Sequence, residues 1–418
     1  MSKLSLLKFV VKPHEVMAGL RRLGGKGAVM HGMRRMSATM GRAMLGPAQL
    51  RINPMGAVCN HACGMCWLQH LPPGAKEVEF RKDRATSLTL DEYRALFDGM
   101  PPGLTEVNVV GGGEPLAHPQ CIDIMREVKR RNLRGYLISN GTLMREKQSQ
   151  AMVEMGWDLT RLSVHAGDAA TFRAIHGVDH FERLRDNLRI FDRLRRAAGR
   201  ERSIAMHVHN VIQRENLDAI PQMFEFAQDV GADNMVFEVV FALSPEIRLT
   251  KDECRQAAEA LSSEAANSPL PSNAQQIAAE LLRDQASAPE EPLAKPPAAD
   301  PTPAAATEEP TIWPMATGPA PDAPPGEPPP PAEPVNGAPP YRPANRCSVG
   351  FDSAMVTAQG QVVPCCFSTE VMGCVRQHSF REIWYGKTYT DFRQRLIKGQ
   401  FPGYCSTVRC KLRSFLHD

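Results

Sequence analysis

No apolar run in this chain approaches the ~18–20 residues that a membrane-crossing helix needs, and the mean hydropathy is −0.31. An integral membrane protein is therefore not expected. The N-terminus also lacks an apolar core followed by a small-residue cleavage site, which points to a cytoplasmic protein. Net charge is scarce, at +3 over 418 residues. What charge asymmetry exists is local: residues 1–51 set ten Lys or Arg against Glu15 alone, and residues 286–345 set eight acids against two bases. A nucleic-acid binder would spread positive charge over its folded body, so no nucleic-acid partner is expected. The eleven cysteines are too few and too grouped for a secreted disulfide scaffold. Cys59, Cys63 and Cys66 sit together and six more lie in the last 72 residues. In a reducing compartment such groups bind metal more often than they form bridges. Cys121 and Cys254 stand apart and read as buried, apolar-type residues.

From residue 48 to 245, strand-like and helix-like stretches alternate. The strands are expected at Gln49–Pro54, Thr105–Val110, Arg134–Ser139, Arg161–His165, Ser203–Val211 and Asn234–Phe241. Apolar residues recur at three- and four-residue steps in Pro119–Arg131, Phe181–Ala198 and Ile220–Val230, as helices require. Repeated βα units predict an α/β fold with a parallel sheet, and six of them suit a partial (β/α)6 TIM-like barrel with its chemistry at the C-terminal strand ends. The expected domains are a basic arm (1–45), the barrel (46–245), a closing helical segment (246–285), a linker (286–343) and a small cysteine-rich domain (344–418). Twenty of the 35 prolines lie in residues 286–345, a composition that cannot bury enough surface to order itself. The arm offers either peripheral membrane contact or a helix packed on the barrel, the commoner outcome. In the last domain Phe380–Tyr385 and Tyr389–Ile397 read as helices around a core small enough to need a metal centre.

The loop after the first strand reads CNHACGMCW (59–67), with three thiols spaced Cys59-x3-Cys63-x2-Cys66. Three thiolates on one short loop can hold three corners of an iron–sulfur cubane, leaving one iron open to a small ligand. A zinc knuckle completed by His61 or His70 is the alternative. This spacing resembles the signature of the radical S-adenosylmethionine (SAM) superfamily, and the resemblance extends over about residues 46–245. VVGGGEPL (109–116) is similar to the family's Gly-Gly-Glu motif, which gives Gly112, Gly113 and Glu114; the glycines would let backbone carbonyls approach the SAM amino group. SNG (139–141) is similar to the polar motif near the SAM ribose and carboxylate, here Ser139 and Asn140. Ser163, in SVHAG, looks like a further contact. Met65 stands where an aromatic is common in the family, and can still offer its backbone to adenine. The resemblance implies a [4Fe–4S] cluster that binds SAM and cleaves it reductively, an electron donor of flavodoxin or ferredoxin type, and a 5′-deoxyadenosyl radical that takes hydrogen from the substrate. The protein's part is to orient the reacting atoms and exclude water.

Cys347, the pair Cys365–Cys366, Cys374, Cys405 and Cys410 resemble the auxiliary-cluster region of SPASM/Twitch enzymes in that superfamily. A cysteine, then PCC (364–366), Phe380-x3-Trp384 and a final cysteine pair carry the likeness. It implies one auxiliary [4Fe–4S] cluster held by Cys347, Cys365, Cys405 and Cys410, with Cys366 and Cys374 in reserve. A C-x2-C-x5-C-x3-C run is absent, and a zinc ribbon is the other reading.

Alternation along the fifth strand puts His207 and His209 on one face and Ile204, Met206 and Val208 on the other. With His165 and Glu238 they are the candidate catalytic residues. Hydrogen abstraction from a peptide is the expected reaction, leading to oxidation, crosslinking or epimerisation. The alternatives are the same chemistry on a sugar or small metabolite, or a zinc-binding interaction protein.

Overall fold

The structure, a computed structural model, describes residues 29–30, 32–34, 36–71, 74–240, 248–285, 288–291, 347 and 349–402. Most of the expected arm, nearly all of the expected linker, and Cys405 and Cys410 lie outside them. The described residues fall into two compact units, one within Met1–Asn53, Thr86–Asn108 and Gly318–Asp418, the other within Pro54–Ala85 and Val109–Thr317. No helix among them is long and apolar enough to cross a membrane.

The second unit is a parallel sheet with helices between its strands. Its strands are β3 (Arg134–Ser139), β4 (Leu159–Ser163), β5 (Ala205–Ile212) and β6 (Asn234–Val239). Adjacent strands are parallel in the order β6-β5-β4-β3, with Ser163 opposite His209 and Val211 opposite Glu238. One face is apolar: Leu162, Met206, Val208, Met235 and Phe237 are all fully buried. Helices cover that face, among them α1 (Phe181–Ala197) and α2 (Ile220–Asp229). Phe224 of α2 stacks on Phe237 with centroids 5.3 Å apart. In α1, Phe181, Leu184, Leu188 and Phe191 form the buried stripe that its spacing predicted; each such side chain contributes about 2 kcal/mol by leaving water. The other face carries the half-buried or polar residues Arg161, Ser163, His207, His209 and Glu238. The expected α/β class with a parallel sheet stands.

Boundaries moved for local reasons. β4 ends at Ser163 rather than His165 because His165 adopts φ 58°, a left-handed conformation that side chains resist. Two bonds hold it there: Val211 N–H donates to its Nδ1 (3.0 Å) and Asn216 Nδ2 to its carbonyl (2.8 Å). Residues 250–285 form two helices, α3 (Lys251–Asn267) and α4 (Ala274–Asp284). Pro269 and Pro271 lie between them, where neither could continue a helix.

In the first unit β1 (Gln49–Ile52) pairs in parallel with β7 (Ser353–Val356), and β8 (Gln361–Val363) and β9 (Gly373–Cys374) follow antiparallel. Two short helices, α5 (Phe380–Tyr385) and α6 (Lys387–Ile397), supply its aromatic core. The Arg393 guanidinium lies between Trp384 and Tyr389, 4.3 Å from each ring centre. It donates to the carbonyls of Gly350 and Trp384 at 2.6 and 2.7 Å, and burial lowers its pKa to about 10.

Candidate active site and metal centres

The cluster loop, 59–66, leaves the Val58 backbone and runs past the C-terminal end of α7 (Ala169–His176). Ala62 N–H and Gly64 N–H donate to the carbonyls of His176 and Ile175 at 2.9 and 3.0 Å, one on each side of Cys63. Burial pushes the Cys59 thiol up to about 12, with the Glu114 charge adding to the effect. Burial and the neighbouring Cys59 and Cys66 raise Cys63 in the same direction, and burial raises Cys66. Three thiols that resist ionisation unless positive charge arrives among them form a donor set suited to a cationic iron cluster. Cys59, Cys63 and Cys66 would hold it.

Just before the loop, Gly56 has φ 58° and its missing Cβ would collide with the Asp83 carboxylate. Asp83, on α8 (Ala75–Thr86), accepts the Ala57 N–H at 2.6 Å and so fixes the approach to Cys59. Burial moves this carboxyl up to about 6. A pKa raised in the folded state means that the native chain binds the extra proton, so this contribution to stability falls as pH rises from about 4 through about 6. The Asp83→Asn chain keeps an acceptor for Ala57. It should gain about 1–3 kcal/mol over the parent near pH 7.5, an advantage that vanishes near pH 4, read by urea unfolding at both values.

The Gly-Gly-Glu motif packs against the stem of the cluster loop. A Cβ on Gly113 would strike the Val58 backbone, and Glu114 N–H donates to the Val58 carbonyl at 2.8 Å, so the turn packs against the stem of the cluster loop. The Glu114 side chain is buried and bonded within the protein. It accepts from Leu116 N–H (3.0 Å), Ser139 Oγ (2.7 Å) and Asn140 N–H (2.7 Å). Asn140 Nδ2 donates in turn to Asn60 Oδ1 at 2.9 Å, and Asn60 Nδ2 to Thr142 Oγ1 at 2.9 Å. A continuous polar network thus joins the motif after β2 (Glu106–Val109), the end of β3 and the cluster loop. Gly112, Ser163 and Met65 lie half-buried.

The four candidate catalytic residues do not share one environment. His165 is buried, its ring stacked on His176 (5.4 Å) and edge-on to His209 (5.5 Å). His207 is half-buried one step down β5. Glu238 gathers Arg161, whose Nη2 donates at 2.6 Å, and His209, whose Nε2 lies 3.4 Å away. Burial pushes Glu238 up, but the bonds and charges of His209 and Arg161 outweigh it and leave the carboxyl at about 2. Burial moves His209 below the ordinary histidine range, while the Glu238 carboxylate works against that shift. Arg161, 12% exposed, was missed in the sequence because a lone arginine in a strand has no spacing signal. His61 and His176 also meet here, with Nδ1 atoms 3.3 Å apart. Burial carries His61 well below its ordinary value and His176 to about 4.

Nine cysteines are described, none in a disulfide. Cys121 and Cys254 are buried, as expected. Of the auxiliary set, Cys347, Cys365 and Cys374 are half-buried and Cys366 is exposed. Arg51 Nη1 lies 3.6 Å from Cys366 Sγ.

Comparison with known proteins agrees with this chemistry. The profile of the Radical SAM superfamily matches residues 53–227, and that of an iron–sulfur cluster-binding domain, SPASM, matches residues 347–411. The tungsten-containing aldehyde ferredoxin oxidoreductase cofactor-modifying protein of Pyrococcus furiosus is 26% identical over 191 residues, 45% of this chain and 50% of that protein. The PqqA peptide cyclase of Gluconobacter oxydans is 33% identical over 121 residues, 29% of this chain and 32% of that one. The chain spans at most about half the length of the curated relatives it matches. In fold it is similar to Streptococcus suis SuiB crystallised with S-adenosylmethionine, with a TM-score of 0.53 at 12% identity, covering 93% of this chain and 78% of SuiB.

Proposed function

We propose that the chain works as a radical SAM enzyme with a C-terminal iron–sulfur cluster-binding domain and removes hydrogen from a peptide, which it oxidises, crosslinks or epimerises. The observation that carries this reading is the charged group at the strand ends of the second unit: Arg161, His209 and Glu238 on the face that also bears Ser163. A guanidinium and a carboxylate placed together can bond both the amide and the ionised groups of a peptide. The peptide cyclase relative supports the substrate class, as does the SuiB fold, which has been crystallised with its precursor peptide SuiA.

When bound and reduced, the [4Fe–4S] cluster supplies the electron that cleaves SAM to methionine and a 5′-deoxyadenosyl radical. Cys59, Cys63 and Cys66 would hold that cluster. Ser139 and Asn140, tied to Glu114 through the Ser139 hydroxyl and the Asn140 N–H, would hold the cosubstrate together with Ser163. The buried rings of His165 and His209, edge-on at 5.5 Å, would help to keep water from the reacting atoms. A second [4Fe–4S] cluster belongs to the C-terminal domain, with Cys347 and Cys365 among its ligands. The reducing equivalent comes from a flavodoxin- or ferredoxin-like donor in the cytoplasm.

Arg161→Met or Glu238→Gln removes a charge-assisted bond worth about 1.5–3 kcal/mol. Product per SAM cleaved should fall by about 10–100-fold while 5′-deoxyadenosine still forms. Equal product yield in both variants would take the substrate away from this group. Cys347→Ala should leave SAM cleavage in place and stop turnover; full product yield would remove the auxiliary cluster from the reaction. Mass spectrometry of candidate peptides and metabolites, incubated with SAM in deuterated solvent, decides the substrate class. Modification confined to metabolites would reject the peptide.

A further inference from the structure

The cluster loop carries a second set of ligand atoms. His61, Cys63 and His176 bring three metal-binding atoms within 4.8 Å of one another. His176 Nδ1 lies 3.1 Å from Cys63 Sγ and 3.3 Å from His61 Nδ1. Two nitrogens bound to zinc at about 2.0–2.1 Å stand about 3.3 Å apart across a tetrahedron, and a sulfur at about 2.3 Å stands about 3.5 Å from each. The nitrogens already have that separation, and the sulfur lies 3.1 Å from His176 Nδ1 and within 4.8 Å of the His61 donor.

A second observation points to a cation. His176 Nε2 lies 2.7 Å from the Val164 carbonyl, which can only accept, so the ring's proton sits on Nε2. Nδ1 therefore presents its lone pair toward Cys63 and His61. A carbonyl that fixes the tautomer and aim of an imidazole is the usual support of a metal-binding histidine. The backbone adds a third constraint. The Ala62 and Gly64 bonds to the end of α7 hold the residues flanking Cys63 against the helix that carries His176.

We propose that the cluster-free chain binds one zinc ion through His61 Nδ1, Cys63 Sγ and His176 Nδ1, leaving a fourth position for water. Zinc enters as the divalent ion and the Cys63 thiol releases a proton; nothing is oxidised or reduced. Because the ion takes Cys63, it excludes cubane assembly on the same loop, so zinc and cluster are alternative occupants. The exclusion rests on the assignment of Cys63 to the cluster; the zinc site itself does not.

The full chain, purified anaerobically without cluster, is titrated with Co2+ as a spectroscopic probe and then with Zn2+. A sulfur-to-cobalt charge-transfer band should appear and be displaced by zinc. Loss even of a supporting partner weakens metal sites by about 10–100-fold, so His61→Ala and His176→Ala should weaken this one at least that much. Cys59→Ser and Cys66→Ser should leave it intact. The C-terminal cysteines are present in every variant, so their own metal binding cancels in the comparison. His176→Gln retains an amide donor for Val164, and loss of the band there with an unchanged circular dichroism spectrum reports a lost ligand rather than lost packing. Undiminished cobalt binding in the histidine variants would overturn the proposal, as would loss in Cys59→Ser or Cys66→Ser, which would place the ion on the loop thiols. Prior zinc should also lower the iron taken up by this site on reconstitution, but not in the histidine variants. Failure of the cobalt titration beside normal SAM cleavage by the reconstituted enzyme would sink this inference alone, whereas absence of SAM cleavage would sink the radical reading.

Discussion

Cys63→Ala is expected to abolish formation of 5′-deoxyadenosine from SAM after anaerobic reconstitution and reduction. Two loop thiols would remain, and a cubane left with two loop ligands loses one of its protein-held corners. Cys63 is also the thiol gripped on both sides by backbone bonds to His176 and Ile175. The loss should therefore appear in bound iron as well as in SAM cleavage. Cys254→Ala, at a buried position on α3, serves as the control and should cleave SAM normally. Product formation by the Cys63 variant would reject the cluster assignment.

The second large effect concerns Glu114. Its carboxylate receives three hydrogen bonds in a buried setting, and burial raises its pKa. Glu114→Ala leaves Leu116 N–H, Ser139 Oγ and Asn140 N–H without their acceptor. Each orphaned buried group costs about 1–3 kcal/mol, partly offset by release from burying a charge. A net loss of about 2–4 kcal/mol in urea unfolding is expected. Glu114→Gln should recover only part of it, because one carboxylate oxygen becomes an amide that faces a donor instead of accepting from it. SAM affinity should fall in both variants, since the ends of two strands lose their tie. Parent-like stability and affinity in both would show that the motif's acid is dispensable.

Much of this was readable in the chain. The strands of the sheet announced themselves because β5 alternates His207 and His209 with Met206 and Val208, a period that only a sheet with one apolar face satisfies. Cys59, Cys63 and Cys66 were equally plain, being neighbours in sequence. The capping boxes at Thr89–Glu92, Thr250–Glu253 and Ser379–Glu382 are further sequence signals of helix starts. Other features were out of reach for a physical reason. His176 meets Cys63 across 113 residues, and Arg161 meets Glu238 across 77, so neither pairing has a local trace. Asp83 meets Ala57 across 26 residues, with Gly56 beside it, again with no local trace. The close approach of Gly113 to the Val58 backbone is a contact that no spacing rule contains.

One pairing also governs how the molecule can be made. Gln49 of β1 finds Ser353 of β7 as its parallel neighbour, about 300 residues downstream. A ribosome working at roughly 5–20 residues per second therefore holds β1 without that partner for about 15–60 seconds. Through that interval an edge rich in open amide groups is exposed to the cell's chaperones and to other nascent chains. Synthesis halted anywhere before β7 should yield insoluble fragments, even when every residue of the iron-binding loop has already been translated.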